Sequence, residues 1–251
     1  MTTPVCDPDH ILCVWGLRRD FGGVQALRGV DLHVARGTIT GLIGPNGSGK
    51  TTLFQVISGI DRGATGTINF DRENILGWRP SQIYHRGLAR TFQLSRVFPE
   101  LTVLENLVVA GSRKDRSADE RAFGLLERVH LREYAAVLGK HLSYGQQKLV
   151  EFLRVLMSDP ALILLDEPAA GVNPTLRGTL WDMVRHLNGL GTTFLIIEHN
   201  MEVIADLCSD VHVLSDGEII ARGDFAAIRN DEQVLEAYFG KGRHEQGAGT
   251  P

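Results

Sequence analysis

The chain has 251 residues, enough to bury a substantial core in one large domain or two small ones. Its 43% hydrophobic and 22% charged residues are ordinary for a globular protein, and its net charge of −4 argues against nucleic acid as the main ligand. No apolar run approaches the roughly 18 residues that span a bilayer, and residues 1–10 lack a basic-then-apolar leader. We therefore expect a cytoplasmic protein that associates with a membrane only through a partner.

The three cysteines, Cys6, Cys13 and Cys208, are an odd number and lack the spacing of a metal site. Such usage is typical of a reducing compartment. We expect these residues to be small buried or incidental thiols.

The first predicted elements are strands that lead into a glycine-rich loop. The alternation of Val30, Leu32 and Val34 with polar residues has the period of a half-buried strand. A helix should follow the loop and end before Gly59. In chain order we expect strands at 11–17, 30–34 and 38–43, and then a helix at 52–58.

The loop at residues 44–51 reads Gly-Pro-Asn-Gly-Ser-Gly-Lys-Thr and matches the phosphate-binding pattern G-x-x-x-x-G-K-[ST]. Its glycines allow a tight turn that points backbone N–H groups at phosphate oxygens, and the following helix N-terminus adds positive potential. Lys50 would reach the β- and γ-phosphates, and the Thr51 hydroxyl would ligate Mg²⁺. A glycine-rich turn that binds nothing is the alternative, which the flanking strand and helix disfavour. The candidate nucleotide-binding residues here are Gly44, Pro45, Asn46, Gly47, Ser48, Gly49, Lys50, Thr51 and Thr52.

The remaining predicted elements alternate apolar strands with amphipathic helices. Three Ser/Thr-x-x-Glu/Gln segments have capping-box spacing and should open helices at Thr102, Ser117 and Ser143. The pair Asn173-Pro174 is typical of a helix start, and Asp216-Gly217 predicts a hairpin. Further strands are expected at 66–70, 161–165, 193–197, 211–214 and 218–221, and short helices at 225–229 and 232–239.

This order predicts an α/β core with a parallel sheet. The stretch 94–160 lacks strand signals, so we interpret it as a helical insert between two parts of the core, at about 10–93 and 161–240. Residues 1–9 and 241–251 are expected to be flexible.

A second group of polar residues follows the buried strands. Asp166 and Glu167 come directly after an apolar run, where ligands bind in open α/β sheets. Asp166 would hold Mg²⁺, and Glu167 could deprotonate an attacking water. His199 also follows a strand and could contact the γ-phosphate, and Gln93 could offer an oxygen to the metal or the water. Phe21 is a candidate platform for the adenine ring, with ordinary core packing as its alternative.

The sequence Leu-Ser-Tyr-Gly-Gln-Gln at residues 142–147, taken with these motifs in this order, resembles the ATP-binding subunits of ABC transporters. The resemblance covers about residues 10–240. Tyr144 stands where that family more often has glycine, a form also found in a subgroup of importers. The resemblance implies a P-loop NTPase core with a parallel sheet, an N-terminal antiparallel β subdomain and an inserted α-helical subdomain.

The resemblance also implies cofactors and partners. ATP with Mg²⁺ would be clamped in a head-to-tail dimer with an identical or paralogous ATPase chain, whose Ser143, Gly145 and Gln146 face the nucleotide. Membrane subunits would dock near Gln93–Leu101. Leu94, Val97 and Phe98 could supply an apolar groove for them; the alternative is that these side chains are buried inside the insert. An external substrate-binding protein would complete the system.

Several segments narrow the resemblance to branched-chain amino-acid importer ATPases, and to the longer of their two paired ATPases. They are residues 87–93, 101–106, 167–174, 197–201 and 234–240. Two departures, a short insert between Gly111 and Leu142 and the sequence Phe-Leu-Arg-Val-Leu at 152–156, concern the transported substrate rather than the ATPase chemistry.

Other functions remain alternatives at this point. The ATPase of lipopolysaccharide export shares the tyrosine-bearing signature, and urea or amide uptake is a further possibility. A soluble ABC protein of DNA repair or translation would carry zinc modules, long coiled coils or two cassettes, and this chain shows neither these nor a basic stripe. A nucleotide-binding regulator that never hydrolyses ATP is disfavoured by Glu167 and His199.

Overall fold

The computed structural model of the chain describes residues 6–91, 97–111 and 117–239. The strands of the described chain are β1 (His10–Phe21), β2 (Val24–Ala35), β3 (Ile39–Ile43), β4 (Thr65–Phe70), β5 (Glu73–Asn74), β6 (Leu88–Arg90), β7 (Leu162–Asp166), β8 (Thr193–Ile197), β9 (Asp210–Ser215) and β10 (Glu218–Gly223). The α-helices are α1 (Lys50–Ile57), α2 (Pro80–His85), α3 (Val103–Val108), α4 (Ala118–Arg128), α5 (Tyr144–Leu156), α6 (Pro174–Gly189), α7 (Met201–Leu207), α8 (Phe225–Arg229) and α9 (Glu232–Phe239).

The chain divides into two compact units. The first consists of the residues up to Gly77 together with those from Ile197 onward, and the second is Trp78–Ile196. The first unit therefore holds the glycine-rich loop, and the second holds the segment around Asp166 and the helix that follows Ser143.

The first unit contains an antiparallel sheet in the order β2-β1-β4-β5. Leu12 of β1 lies opposite Val34 on one side and Phe70 on the other, and all three side chains are fully buried. In the same unit β3 pairs in parallel with β9, and β9 pairs antiparallel with β10. Asp216 and Gly217 both have positive φ, as the two central residues of a type I′ hairpin turn require. The predicted hairpin is therefore confirmed.

Three helices, α7, α8 and α9, cover one side of β3 and β9. Burying one such aliphatic side chain contributes about 1.5–3 kcal/mol, so this packing supports the strand that ends at the glycine-rich loop. The buried cluster consists of Ile43, Ile204, Val211, Val213, Ile228 and Val234.

The second unit combines parallel strands with most of the long helices. β6 pairs in parallel with β7, and Ala89 lies opposite Ile163. Every residue of β7 and of β8 is buried, as the continuous apolar runs predicted. The helices α3, α4 and α5 lie between β6 and β7 in the chain. The α/β class with parallel strands and an N-terminal antiparallel sheet, predicted from the sequence, is confirmed.

The predicted helix starts mostly have the expected side-chain caps. Thr102 and Ser143 each accept a hydrogen bond from the backbone N–H three residues later, and Glu105 and Gln146 complete the two capping boxes. The Asn173 side chain accepts from the Leu176 N–H and caps α6. The predicted capping box at Ser117 is wrong, because its side chain makes no capping hydrogen bond, although α4 does begin there.

Four short elements were missed because they are too short to show a period: β5 has two residues, β6 three, α2 six and α7 seven. The strands β1 and β2 extend to Phe21 and from Val24, beyond the predicted ranges. Their outer halves carry charged residues such as Arg18 and Arg28, which pair across the hairpin and obscure the alternation.

The expectation of three free thiols is wrong. The structure joins Cys6 and Cys13 in a disulfide, with their Cα atoms 5.9 Å apart. The chain before β1 turns back on the strand through the His10 N–H to Asp7 carbonyl bond, an approach that cysteine count and spacing do not reveal. Cys208 keeps a free thiol, and burial, aided by the charge of Glu198, raises its pKa to about 12.

Within the three described ranges, no helix has both the length and the apolar character needed to cross a bilayer.

Candidate functional site

The glycine-rich loop begins where the fully buried strand β3 ends. Gly44, Gly47 and Gly49 all have positive φ, the backbone region that favours glycine. A Cβ at Gly44 would collide with the Leu214 carbonyl oxygen, and a Cβ at Gly49 would lie 2.5 Å from the Ala26 carbonyl oxygen. The loop therefore requires glycine at these positions for both backbone conformation and close packing.

Lys50, the first residue of α1, lays its side chain back over the loop. Its Nζ donates to the carbonyl oxygens of Gly44 at 2.8 Å and Pro45 at 2.9 Å, and lies 3.5 Å from Ser48 Oγ. Lys50 and Ser48 are buried, while Thr51 is exposed. The ammonium group is thus held at the loop by backbone oxygens.

The N-terminus of α1 suits an anion. Its N-cap is Gly49, which supplies no side-chain cap, and the first turn carries no acidic residue. Uncapped N–H groups at a helix start bind phosphate oxygens readily, because the helix dipole places positive potential at the same point. The start of α1 therefore offers uncapped backbone N–H groups beside the Lys50 ammonium group.

Tyr238 of α9 also reaches this loop. Burial raises the pKa of the Tyr238 phenol, and a hydrogen bond with the backbone of Gly44 opposes that rise. Sequence reasoning did not assign any role to Tyr238. The only available signal was the resemblance of the segment 234–240 to the importer ATPases.

Phe21 lies at the end of β1 and is 43% exposed, so it does not belong to the core. The Arg19 guanidinium sits over its ring at 4.0 Å from the centroid. The alternative of ordinary core packing is therefore excluded for this ring. A half-exposed aromatic side chain is able to stack on a planar base.

His199 also belongs to the first unit and is exposed just beyond β8. The neighbouring Glu198 is buried, and its Oε2 accepts from the N–H groups of His199 at 2.9 Å and Asn200 at 3.3 Å. Asn200 in turn caps α7 through the N–H groups of Glu202 and Val203. Glu198, which sequence reasoning passed over, thus orients the backbone that carries His199.

In the second unit, Asp166 closes the buried strand β7 and is itself 1% exposed. Burial raises the pKa of its carboxyl group, and the positive charge of Arg90 opposes this rise. The Nη2 atom of Arg90 donates to Asp166 Oδ2 at 2.9 Å. Arg90 precedes the predicted Gln93 by three residues, but no sequence pattern indicates that it contacts Asp166.

Glu167 turns away from the strand direction. Its φ of +46° lies in the left-handed region, which non-glycine residues seldom occupy and which often marks functional sites. The backbone at Glu167 therefore departs from the extended conformation of β7. The nearby Lys148 is buried, which lowers its pKa, and the carboxylates of Glu151, Asp166 and Glu167 oppose that effect.

The residues of the predicted signature segment open α5. Ser143 is the N-cap, with the Gln146 N–H 3.4 Å from its Oγ, and Gln146 Oε1 accepts from the Ser143 N–H at 2.9 Å. Gly145 packs so closely that a Cβ there would lie 2.8 Å from Leu176 Cδ1. Tyr144, the departure from the commonest signature, is 45% exposed.

The predicted site residues thus fall into two groups, each described within its own unit. The first unit holds Phe21, the loop from Gly44 to Thr52, and His199, and the second holds Asp166, Glu167 and the segment from Ser143 to Gln146. Gln93, predicted as a catalytic and metal-binding residue, lies outside the described residues.

The donor set suits Mg²⁺ bound together with a nucleotide. The described parts of the chain contain no group of three or more His, Cys, Asp or Glu residues able to hold a metal ion by themselves. Mg²⁺ commonly uses one or two carboxylates and takes its other ligands from substrate phosphates and water. Asp166 Oδ1 is buried and accepts no hydrogen bond from the described residues, so an acceptor is available for such an ion.

Comparison with known proteins gives consistent matches. The family model described as ABC transporter matches residues 27–170, and the one described as branched-chain amino acid ATP-binding cassette transporter matches residues 218–244. The chain is 36% identical to the probable branched-chain amino acid transport ATP-binding protein LivG of Methanocaldococcus jannaschii, covering 94% of this chain and 99% of the relative.

The high-affinity branched-chain amino acid transport ATP-binding protein LivG of Escherichia coli K12 is also 36% identical, over 92% of this chain and 98% of the relative. Among solved structures, the ADP conformation of an ATP-binding cassette of an ABC transporter aligns with a TM-score of 0.83 and 36% identity. That alignment covers 92% of this chain and 99% of the other.

Proposed function

The chain belongs to the ABC transporter ATP-binding family and is a transport ATPase, and from this premise we propose that it powers the import of branched-chain amino acids. The match of residues 218–244 to the branched-chain amino acid family model supports this choice of transported substrate. Relatives named for branched-chain amino acid transport, which align with this chain over nearly their whole length, support it as well. Residues 218–244 include α8 and α9, which pack against the strand leading into the glycine-rich loop.

The nucleotide roles follow from the donor groups in each unit. Lys50 and the N–H groups at the start of α1 bind the β- and γ-phosphates of ATP, because they offer positive charge and uncapped donors. Phe21 stacks on the adenine. His199 contacts the γ-phosphate from a backbone held by Glu198.

The hydrolytic roles belong to the acidic residues. When bound, Mg²⁺ supplies charge neutralisation at the phosphates, and we assign Thr51, Gln93 and Asp166 to hold it. Glu167, whose backbone has the left-handed conformation found at many functional sites, takes the proton of the attacking water. Ser143, Gly145 and Gln146 contact the nucleotide of a second ATPase chain in a head-to-tail dimer.

The membrane subunits dock at the segment that follows Gln93, of which Val97–Leu101 is described. Phe98 is 45% exposed and Val109 is 58% exposed, so both are available for an apolar contact. The Arg154 guanidinium lies 4.5 Å from the centre of the Phe98 ring. A cavity of about 360 Å³ lies beside Val109 and Arg154 and is lined also by Tyr84 and Glu151. These features support a short helix of a membrane subunit as the partner.

The decisive experiment is reconstitution of the chain with its membrane subunits and an external binding protein in proteoliposomes. We expect leucine-, isoleucine- or valine-loaded binding protein to stimulate ATP hydrolysis, while urea or amide ligands do not. The ATPase alone should hydrolyse ATP at a basal rate without cargo. Stimulation by another cargo class, with none by these amino acids, would overturn the cargo assignment and leave the ATPase assignment intact.

A further inference from the structure

Arg90 and Asp166 form a buried ion pair within the second unit. Their side chains are 7% and 1% exposed, and Arg90 Nη2 lies 2.9 Å from Asp166 Oδ2. Charges that lose their hydration persist in a protein interior when they are paired and hydrogen-bonded, and removing one partner leaves the other uncompensated. The ion pair therefore restricts the orientation of the buried Asp166 carboxylate, which an exposed surface pair would not do.

The backbone fixes the position of the guanidinium. Arg90 is the last residue of β6 and lies opposite Leu164 in the parallel pairing with β7. The ladder continues one residue further, where the Thr91 N–H donates to the Leu164 carbonyl oxygen at 3.0 Å. Because parallel strands end at the same edge, the end of β6 delivers Arg90 to the end of β7, where Asp166 lies.

The two oxygens of the Asp166 carboxylate have different surroundings. Oδ2 accepts from Arg90, whereas Oδ1 is buried and has no hydrogen-bond donor among the described residues. A carboxylate is planar, so a bond that holds one oxygen also sets the direction of the other. A charge-assisted bond to a guanidinium adds geometric specificity as well as energy.

We propose that Arg90 is a positioning residue for ATP hydrolysis, which holds Oδ2 of Asp166 and so presents Oδ1 to the magnesium ion of Mg-ATP. This inference rests on the proposed role of Asp166 as a metal ligand. Groups that hydrogen-bond a metal ligand orient it, and their mutation typically costs about 10–100-fold in metal affinity or activity.

The test measures the magnesium dependence of two quantities in the full-length protein. Nucleotide affinity is measured with a fluorescent ATP analogue in excess Mg²⁺ and in EDTA, and the Mg²⁺ concentration for half-maximal ATP hydrolysis is measured separately. For Arg90→Met we expect unchanged affinity for metal-free nucleotide. The half-saturating Mg²⁺ concentration should rise by about 10–100-fold.

Two further variants keep the test decisive. Arg121→Met removes another Arg–Asp pair of the second unit, that of Arg121 with Asp159, and should leave both measurements at wild-type values. If Arg90→Met does not fold, as judged by circular dichroism, the same two measurements are made on Arg90→Lys instead. A single ammonium on a flexible stem keeps the charge but does not fix the carboxylate plane, so the half-saturating Mg²⁺ concentration should still rise.

The outcomes separate this inference from its premise. Wild-type magnesium dependence in Arg90→Met, or in Arg90→Lys where only that variant folds, overturns the positioning role. Asp166→Asn is measured alongside. If Asp166→Asn also keeps wild-type magnesium dependence, the proposed metal role of Asp166 itself fails. If Asp166→Asn requires a higher Mg²⁺ concentration for half-maximal hydrolysis while the Arg90 variant does not, the metal role of Asp166 stands and the positioning role of Arg90 is rejected.

Discussion

Replacing Asn106 with alanine tests whether one buried side chain holds the segment proposed to contact the membrane subunits. Asn106 lies in α3 and is fully buried. Its Oδ1 accepts from the Phe98 N–H at 2.8 Å. Its Nδ2 lies within hydrogen-bond distance of three carbonyl oxygens, those of Phe98 at 3.0 Å, Leu101 at 3.2 Å and Thr102 at 3.0 Å. Two amide N–H groups are therefore shared among three acceptors.

The expected cost follows from what each partner keeps after truncation. The Leu101 carbonyl still accepts from the Gly139 N–H, and the Thr102 carbonyl still accepts from the Asn106 backbone N–H. The Phe98 N–H, in contrast, loses its 2.8 Å hydrogen bond to the Asn106 side chain. Each lost bond is worth about 0.5–1.5 kcal/mol, and an unsatisfied buried donor costs about 1–3 kcal/mol. We expect Asn106→Ala to lower the free energy of unfolding by about 2–4 kcal/mol.

Urea unfolding followed by circular dichroism measures this change, with the midpoint shift evaluated at an unchanged slope. A second variant, Asn106→Asp, keeps an acceptor for the Phe98 N–H but directs its other oxygen at three carbonyl oxygens in a buried site, so it should cost at least as much as the alanine variant. A free energy of unfolding for Asn106→Ala within about 0.5 kcal/mol of wild type, the range of ordinary surface substitutions, would refute the reasoning.

Three further changes test the site and the docking surface. Glu167→Gln should slow ATP turnover by about 10²–10⁴-fold while retaining Mg-ATP binding, and wild-type turnover would reject its role as the base. Phe98→Asp should keep basal ATP hydrolysis but abolish transport in proteoliposomes, whereas Leu190→Asp, at another exposed apolar side chain, should keep both; normal transport in the former would exclude docking there. Because burial raises the pKa of Cys208 to about 12, its thiol should resist iodoacetamide at pH 8 until urea unfolds the protein, and rapid native labelling would contradict this.

The features that the sequence predicted well are determined within a few neighbouring residues. The glycines at 44 and 49 follow from a loop pattern whose backbone demand is local, and the structure adds the close approaches that a Cβ would prevent. The caps at Thr102, Ser143 and Asn173 need only a side chain and an N–H three residues later. Such features do not depend on how distant segments pair.

The features that the sequence did not reveal depend on contacts between distant segments. Arg90 and Asp166 are 76 residues apart and meet only because β6 pairs with β7, and β6 is too short to be predicted from periodicity. The sequence placed Asn106 in the helix after Thr102 but could not show that its side chain reaches back to the loop at Phe98. The disulfide between Cys6 and Cys13 likewise depends on a turn before β1.

The contrast between local motifs and long-range contacts also applies to the proposed hydrolytic residues. The residues proposed to act in hydrolysis, Lys50, Asp166 and Glu167, lie in local motifs, but their surroundings are not all local. The Lys50 ammonium group is held by carbonyl oxygens of its own loop, so the loop motif itself determines where this group lies. Asp166 is held by Arg90 from another strand, so the same Asp-Glu pair on a chain without that arginine would present its carboxylate oxygens differently. The motif therefore predicts which chemical groups are available, while the pairing of β6 with β7 determines which side chain contacts the proposed metal ligand.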